Sequence, residues 1–215
     1  MATMTEFWLP ASNDLDLFVR RYTPVKPSQA KLIFLHGYDH HSGIYDEFFH
    51  RLAAADIEVV AYDLRGFGKS INETTTPPGS SGPTATSLDD LSTVISSELS
   101  QSQSSLTHDD DHDNHNNDKN TTLLFIMGHS MGGAIAFTYS SLGPPHLLRK
   151  IHGWLGESPD FGLPPDAPAR PSALKYAFLA ACIISRLGWR SRWSLMRAFF
   201  AGMRACRGTM GRMSL

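Results

Sequence analysis

The sequence predicts an α/β fold: a mostly parallel sheet with helices on both faces. Three observations carry that expectation. Continuously apolar runs recur as "KLIFLHGY", "IEVVAYDL", "TTLLFIMGHS" and "KIHGWLGES", and strands without polar alternation are those buried on both faces. Between them lie "IYDEFFHRLAAA", "SLDDLSTVISSEL" and "MGGAIAFTYSSLG", with apolar residues at helical spacing, and strand–helix alternation builds a parallel sheet. At 215 residues, 41% hydrophobic and 19% charged, the chain suits one globular domain with a substantial core.

In order, "FWLPASNDLDLFVRRYTP" reads as a hairpin about a Ser-Asn-Asp turn. "KLIFLHGY" is a buried strand that ends in Gly37, and "IYDEFFHRLAAA" is the helix after it. "IEVVAYDLRGFGKS" is a second buried strand leaving through a Gly-rich turn. Ser87 is the expected N-cap of the amphipathic helix "SLDDLSTVISSEL". "NETTTPPGSSGPTATS" reads as a surface loop. The stretch of about 100–121, "SQSQSSLTHDDDHDNHNNDKNTT", has almost no apolar residue to pack. Its His108, His112 and His115 therefore read as parts of a solvated, disordered insertion rather than a metal site. A third buried strand, a helix and a fourth strand follow.

No basic segment leads into an apolar one at the N-terminus, so no signal peptide is read there. Cys182 and Cys206 give neither a disulfide framework nor metal-ligand spacing. The expected setting is intracellular, either cytoplasmic or peripheral on a membrane or lipid droplet. No Asp or Glu follows Asp166, whereas 9 of the 19 Lys and Arg residues do. A net charge of −2 thus hides a basic C-terminal stretch, the kind of asymmetry that suits an anionic surface.

Gly128-His129-Ser130-Met131-Gly132 carries the chemistry. A serine hydroxyl is a weak nucleophile and must be held where a base can reach it. A tight strand-to-helix turn does so, but it crowds the chain and calls for glycine two residues to either side. Here the pattern sits between a buried strand and a helix start. The Met131 N–H and the helix N-terminus then face a developing oxyanion. His36-Gly37-Tyr38, at the end of an earlier strand, forms the oxyanion loop, with the Tyr38 N–H as second donor. Gly68-Lys69-Ser70 resembles the end of a phosphate loop. The position where that pattern needs its first glycine is Asp63, which excludes an NTPase. Asp63 and Arg65 are read as fixing the turn.

"AKLIFLHGYDHHSGIYDEFFHRLAAADIEVVAYDLRGFGKS", "SGPTATSLDDL", "LLFIMGHSMGGAIA" and "IHGWLGESPDFGLP" together resemble the monoacylglycerol lipase family of α/β-hydrolases, particularly its fungal members. That family is grouped with the serine aminopeptidase-like hydrolases. The likeness runs from about Thr5 to about Ile184. It implies an α/β-hydrolase fold and cofactor-free cleavage of a lipid ester, above all monoacylglycerol to fatty acid and glycerol. Ser130 matches the family nucleophile, and Tyr38 and Met131 match its oxyanion positions. No metal and no nucleic-acid partner are implied, and peripheral membrane or lipid-droplet contact runs through the family's apolar cap.

The triad order in this fold is Ser, then Asp or Glu, then His. After Ser130 the sequence holds only His146 and His152, both around the start of the fourth strand and far from the turn. Asp160 is a weak candidate acid by position, and no residue is read as the base. Three parts follow: an α/β-hydrolase core over 1–163, the start of the cap over 164–188, and an atypical basic tail over 189–215. Two accounts of that tail stand, an arginine-rich amphipathic membrane segment or the product of a shifted reading frame. The expected chain is thus C-terminally incomplete. The functional alternatives are an inactive lipid- or membrane-binding regulatory chain and an aminopeptidase-like serine hydrolase.

Overall fold

This computed structural model describes residues 2–74, 76–104 and 122–160. The cap and the tail, the bulk of the 100–121 insertion, and His108, His112 and His115 lie outside them. The expected hairpin is β1 (Thr3–Pro10) and β2 (Asp16–Thr23), antiparallel, with Asn13 and Asp14 both left-handed in the turn. β3 (Ala30–Leu35), β4 (Ile57–Tyr62), β5 (Leu123–His129) and β6 (Ile151–Glu157) complete a six-stranded sheet. Its order is β1-β2-β4-β3-β5-β6, parallel from β4 to β6.

The apolar runs are continuous because each strand feeds two cores. Ile33, Leu35, Val60, Tyr62, Leu124 and Ile126 face one side, while Leu32, Phe34, Val59, Ala61, Phe125 and Met127 face the other. Alternation along a strand sends successive side chains to opposite faces. Helix α1 (Asp46–Ala54) covers the second core through Phe48, Phe49 and Leu52. Helices α2 (Thr84–Ser104) and α3 (Met131–Leu142) cover the first through Leu91, Val94, Ile95, Ile135 and Tyr139. The chain therefore leaves β3 over one face and returns to β5 over the other. The strand order reverses at β3, and the crevice beyond the carboxyl ends of β3 and β5 is where such sheets place ligands.

Ser87 is not the N-cap of α2. That helix starts at Thr84, and the Pro83 carbonyl accepts from the N–H groups of Thr86 and Ser87. Proline presets a helix-ready backbone just ahead of the first turn, so Ser87 is drawn inside and buried. At its other end α2 runs through Ser104 into the segment expected to be disordered. A 3-10 turn at Ser42–Tyr45 and a short helix α4 (Pro145–Leu148) were not anticipated. Asp63 and Arg65 do fix the turn after β4. Asp63 accepts from Ser42 N–H (2.7 Å), Ser42 Oγ (2.5 Å) and Lys69 N–H (2.8 Å). Arg65 clamps Asp90 of α2 with two bonds of 2.9 and 2.6 Å.

Candidate active site

Ser130 follows the last residue of β5 and precedes the first of α3, with φ 49° and ψ −115°. That left-handed conformation is costly for a residue with a side chain, and it persists only where its surroundings enforce it. They do so here. Ser130 N–H donates to the Glu157 carbonyl (2.9 Å), and its own carbonyl accepts from Ala134 N–H (3.0 Å) and Asp160 N–H (3.1 Å). Both glycines of the motif are explained by contact. A Cβ on Gly128 would overlap the Gly132 backbone, and one on Gly132 would overlap the carbonyls of Leu35 and His36. The turn is thus wedged directly against the end of β3. Ser130 Oγ makes no hydrogen bond among the described residues.

The wedge sets the start of α3, which holds Met131, against the segment that leaves β3 towards Tyr38. Met131 is the first residue of α3, so its N–H has no intrahelical acceptor and lies at the positive end of the helix. Gly37 packs on the elbow: a Cβ there would sit 3.3 Å from Ser130 Cβ and 2.8 Å from His129 Nδ1. The Tyr38 N–H follows and makes no backbone hydrogen bond among the described residues. The Tyr38 side chain is exposed, its ring edge-on to Phe67 at 5.4 Å.

His36 carries the loop rather than the chemistry. Its ring is fully buried, Nε2 accepts from Leu64 N–H (2.8 Å) and Nδ1 lies 2.7 Å from the Gly37 carbonyl. The acceptor role of Nε2 puts the proton on Nδ1, which then donates to Gly37 O. Burial pushes the ring's pKa down to about 4, against the opposing pull of the Gly37 carbonyl.

Of the remaining candidates, Asp160 lies beside the elbow through its backbone. His152 does not: its Nδ1 accepts from Leu124 N–H (3.1 Å) at the start of β5, the opposite end of that strand from Ser130. His146 sits in α4, ahead of β6. Sequence reasoning missed Tyr45, whose hydroxyl is hydrogen-bonded to His129, and Glu157, whose carboxylate lies 3.0 Å from the other nitrogen of that ring. The one available signal for Glu157 was an acidic residue closing an apolar strand at the end of the sheet that holds the nucleophile. Among the described residues no helix is long and apolar enough to cross a membrane, and no group of three or more His, Cys, Asp or Glu is placed to hold a metal.

A family model described as serine aminopeptidase, S33, matches residues 26–197. A Schizosaccharomyces pombe protein provisionally named a monoglyceride lipase is 32% identical over 152 residues, covering 70% of this chain and 35% of that protein. The Homo sapiens monoglyceride lipase is 28% identical over 135 residues, or 63% of this chain and 38% of that one. The alignments thus span little more than a third of those relatives' lengths. Among solved structures, a soluble variant of the Saccharomyces cerevisiae monoglyceride lipase in complex with a substrate analog superposes with a TM-score of 0.60 at 20% identity. It covers 77% of this chain and 47% of that one. A Bacillus coagulans carboxyl esterase in complex with glycerol gives 0.53 at 21% identity, covering 73% and 44%. At such identities these likenesses speak for the fold, which is that of the α/β-hydrolases.

Proposed function

Because the chain belongs to the serine aminopeptidase S33 family of α/β-hydrolases, we propose that it is built for serine-dependent cleavage of a lipid carboxylic ester, with monoacylglycerol as substrate and Ser130 as nucleophile. The observation that carries this reading is the enforced left-handed Ser130, pressed by Gly132 against the loop that holds Tyr38. Ser130 Oγ attacks the acyl carbon, and the resulting oxyanion lies between the N–H groups of Tyr38 and Met131 at the head of α3. Collapse expels the glycerol alkoxide, which takes up a proton, and water then hydrolyses the acyl-serine. The names of the relatives supply the monoacylglycerol. Contact with a membrane or lipid droplet belongs to this proposal through the substrate's own partitioning.

The proton bookkeeping needs a base and an acid that orients it. Among the described residues Asp160 is placed near the elbow, whereas His146 and His152 are placed away from it. That placement favours a second reading, in which the chain binds lipid or a membrane surface without turnover. A fluorophosphonate probe tests both. Covalent labelling of the unaltered chain, abolished in Ser130→Ala and accompanied by release of fatty acid from a monoacylglycerol, supports the hydrolase. Absence of labelling with retained binding to phospholipid vesicles refutes it in favour of the binding chain. Losing a triad partner costs about 10⁴-fold or more in turnover, so an active chain also has to show a base.

A further inference from the structure

Behind the oxyanion loop lies a line of four side chains to which acyl transfer assigns no role. Glu157 Oε2 is 3.0 Å from His129 Nε2, His129 Nδ1 is 2.8 Å from the Tyr45 hydroxyl, and that hydroxyl is 2.8 Å from His40 Nδ1. The rings of His40 and His129 stack at 5.5 Å and 13°. Tyr45 also receives the Gly37 N–H at 3.5 Å.

The Glu157 carboxylate beside Nε2 gives this line its favoured direction. A carboxylate attracts the N–H end of the ring, and on that ground the His129 proton is assigned to Nε2. Nδ1 is then an acceptor, and the Tyr45 hydroxyl donates to it. The Tyr45 oxygen is left to accept from His40 Nδ1–H and from Gly37 N–H. Protonation states agree with that order. Burial holds Tyr45 in its donating form with a pKa of about 12. Burial, followed by the neighbouring His129, holds His40 below its usual value and hence neutral. Glu157 grips the elbow a second way through its carbonyl, which accepts from Ser130 N–H, while its Oε1 receives the Ser158 hydroxyl at 2.9 Å.

We propose that Glu157 and Tyr45 are positioning residues of the oxyanion hole: Glu157 sets the His129 ring, and the ring, through Tyr45 and by direct packing under Gly37, sets the Gly37-Tyr38 peptide against Ser130. The ring lies where a Gly37 side chain would be, 2.8 Å from that Cβ position. A rotation of His129 therefore moves the donor loop itself. The inference rests on Ser130 being the nucleophile, but its structural half is tested independently.

The experiment uses the full chain with ¹⁵N-labelled histidines, in unaltered form and as Glu157→Ala, Glu157→Gln, Tyr45→Phe and the Glu157→Ala/Tyr45→Phe double variant. Long-range ¹H–¹⁵N spectra read the His129 tautomer, with His129→Gln identifying its signals. The expected spectrum shows a single Nε2–H form, retained in Glu157→Gln and replaced by an averaged pair in Glu157→Ala. The second-order rate of fluorophosphonate labelling is expected to fall about 10- to 100-fold in Glu157→Ala and in Tyr45→Phe, the size of a small misplacement of catalytic donors. The double variant should be no slower than the worse single one, since both act through one ring. Glu157→Gln should recover most of the rate. The proposal is overturned by a mixed His129 tautomer in the unaltered chain, by a fixed one that survives Glu157→Ala, or by single variants labelling within about twofold of the parent. If no form is labelled, the proposed activity fails, and the tautomer alone decides this inference.

Discussion

Acid is expected to unseat the oxyanion loop through His36. The buried ring titrates at about 4 in the folded chain, against an ordinary 6.5. The folded value is the lower one, so between the two the unfolded chain binds more protons. The contribution of His36 is therefore complete above about pH 6.5 and drains away as the pH falls towards about 4. Moving from about pH 7.5 to about pH 5 should remove about 2 kcal/mol through this ring alone, with a limit of about 3 kcal/mol in stronger acid. Other groups titrate over the same range, so the measurement has to be a difference. Urea unfolding of the parent and of His36→Gln, whose amide oxygen can still accept from Leu64 N–H, gives two stability curves against pH. The parent's advantage over the variant should shrink by about 2 kcal/mol across that interval. A difference that stays flat within about 0.5 kcal/mol would refute the assignment of a neutral, buried His36 and the linkage drawn from it.

Gly132→Ala should destabilise by about 1–3 kcal/mol and depress labelling of Ser130, because the new methyl meets the backbone carbonyls of Leu35 and His36, which cannot rotate away. Unfolding midpoints and probe kinetics check it, and a variant equal to the parent in both would remove the wedge from the argument. Arg65→Met leaves the buried Asp90 carboxylate without its two-bond partner. Burial already raises the pKa of Asp90 while Arg65 lowers it, so the variant should lose about 3–5 kcal/mol. Arg65→Met/Asp90→Leu should recover most of that loss. If the double variant is as unstable as the single one, the damage comes from lost packing rather than from an unpaired charge.

The sheet was legible because burial on both faces writes itself into each strand separately: "LIFL" and "VVAY" need no knowledge of their neighbours to be read as interior. The elbow was legible for the same reason, since a strand, five motif residues and a helix start are contiguous. Ser87 lost its capping role because the carbonyl of Pro83, just ahead of Thr84, accepts the first N–H groups of α2, a signal that the serine N-cap pattern outweighed in reading the sequence. The rest of what could not be read depends on elements distant in the chain. Tyr45 and His129 are 84 residues apart and meet only because the 3-10 turn that holds Tyr45 packs on Phe34 of β3, the strand beside β5. Glu157 reaches His129 only because β6 pairs in parallel with β5, with the two residues in register.

The same division separates exposing a serine from making it react. A strained turn with glycine at both sides is a local device, and the sequence specifies it within Gly128–Gly132. On the proposed reading, aligning two peptide N–H groups on one oxyanion is not local, because one donor lies in the loop after β3 and the other begins α3. Their relative position has to be transmitted through whatever lies between them. The proposed carrier is the His129 ring, which has the Glu157 carboxylate at one nitrogen and the Tyr45 hydroxyl at the other. A chain that kept the motif but lost the carboxylate at the end of β6 would still present its serine, with an oxyanion loop free to drift from the elbow. On the proposed reading, the motif points to the nucleophile, whereas the competence of the hole depends on residues outside it.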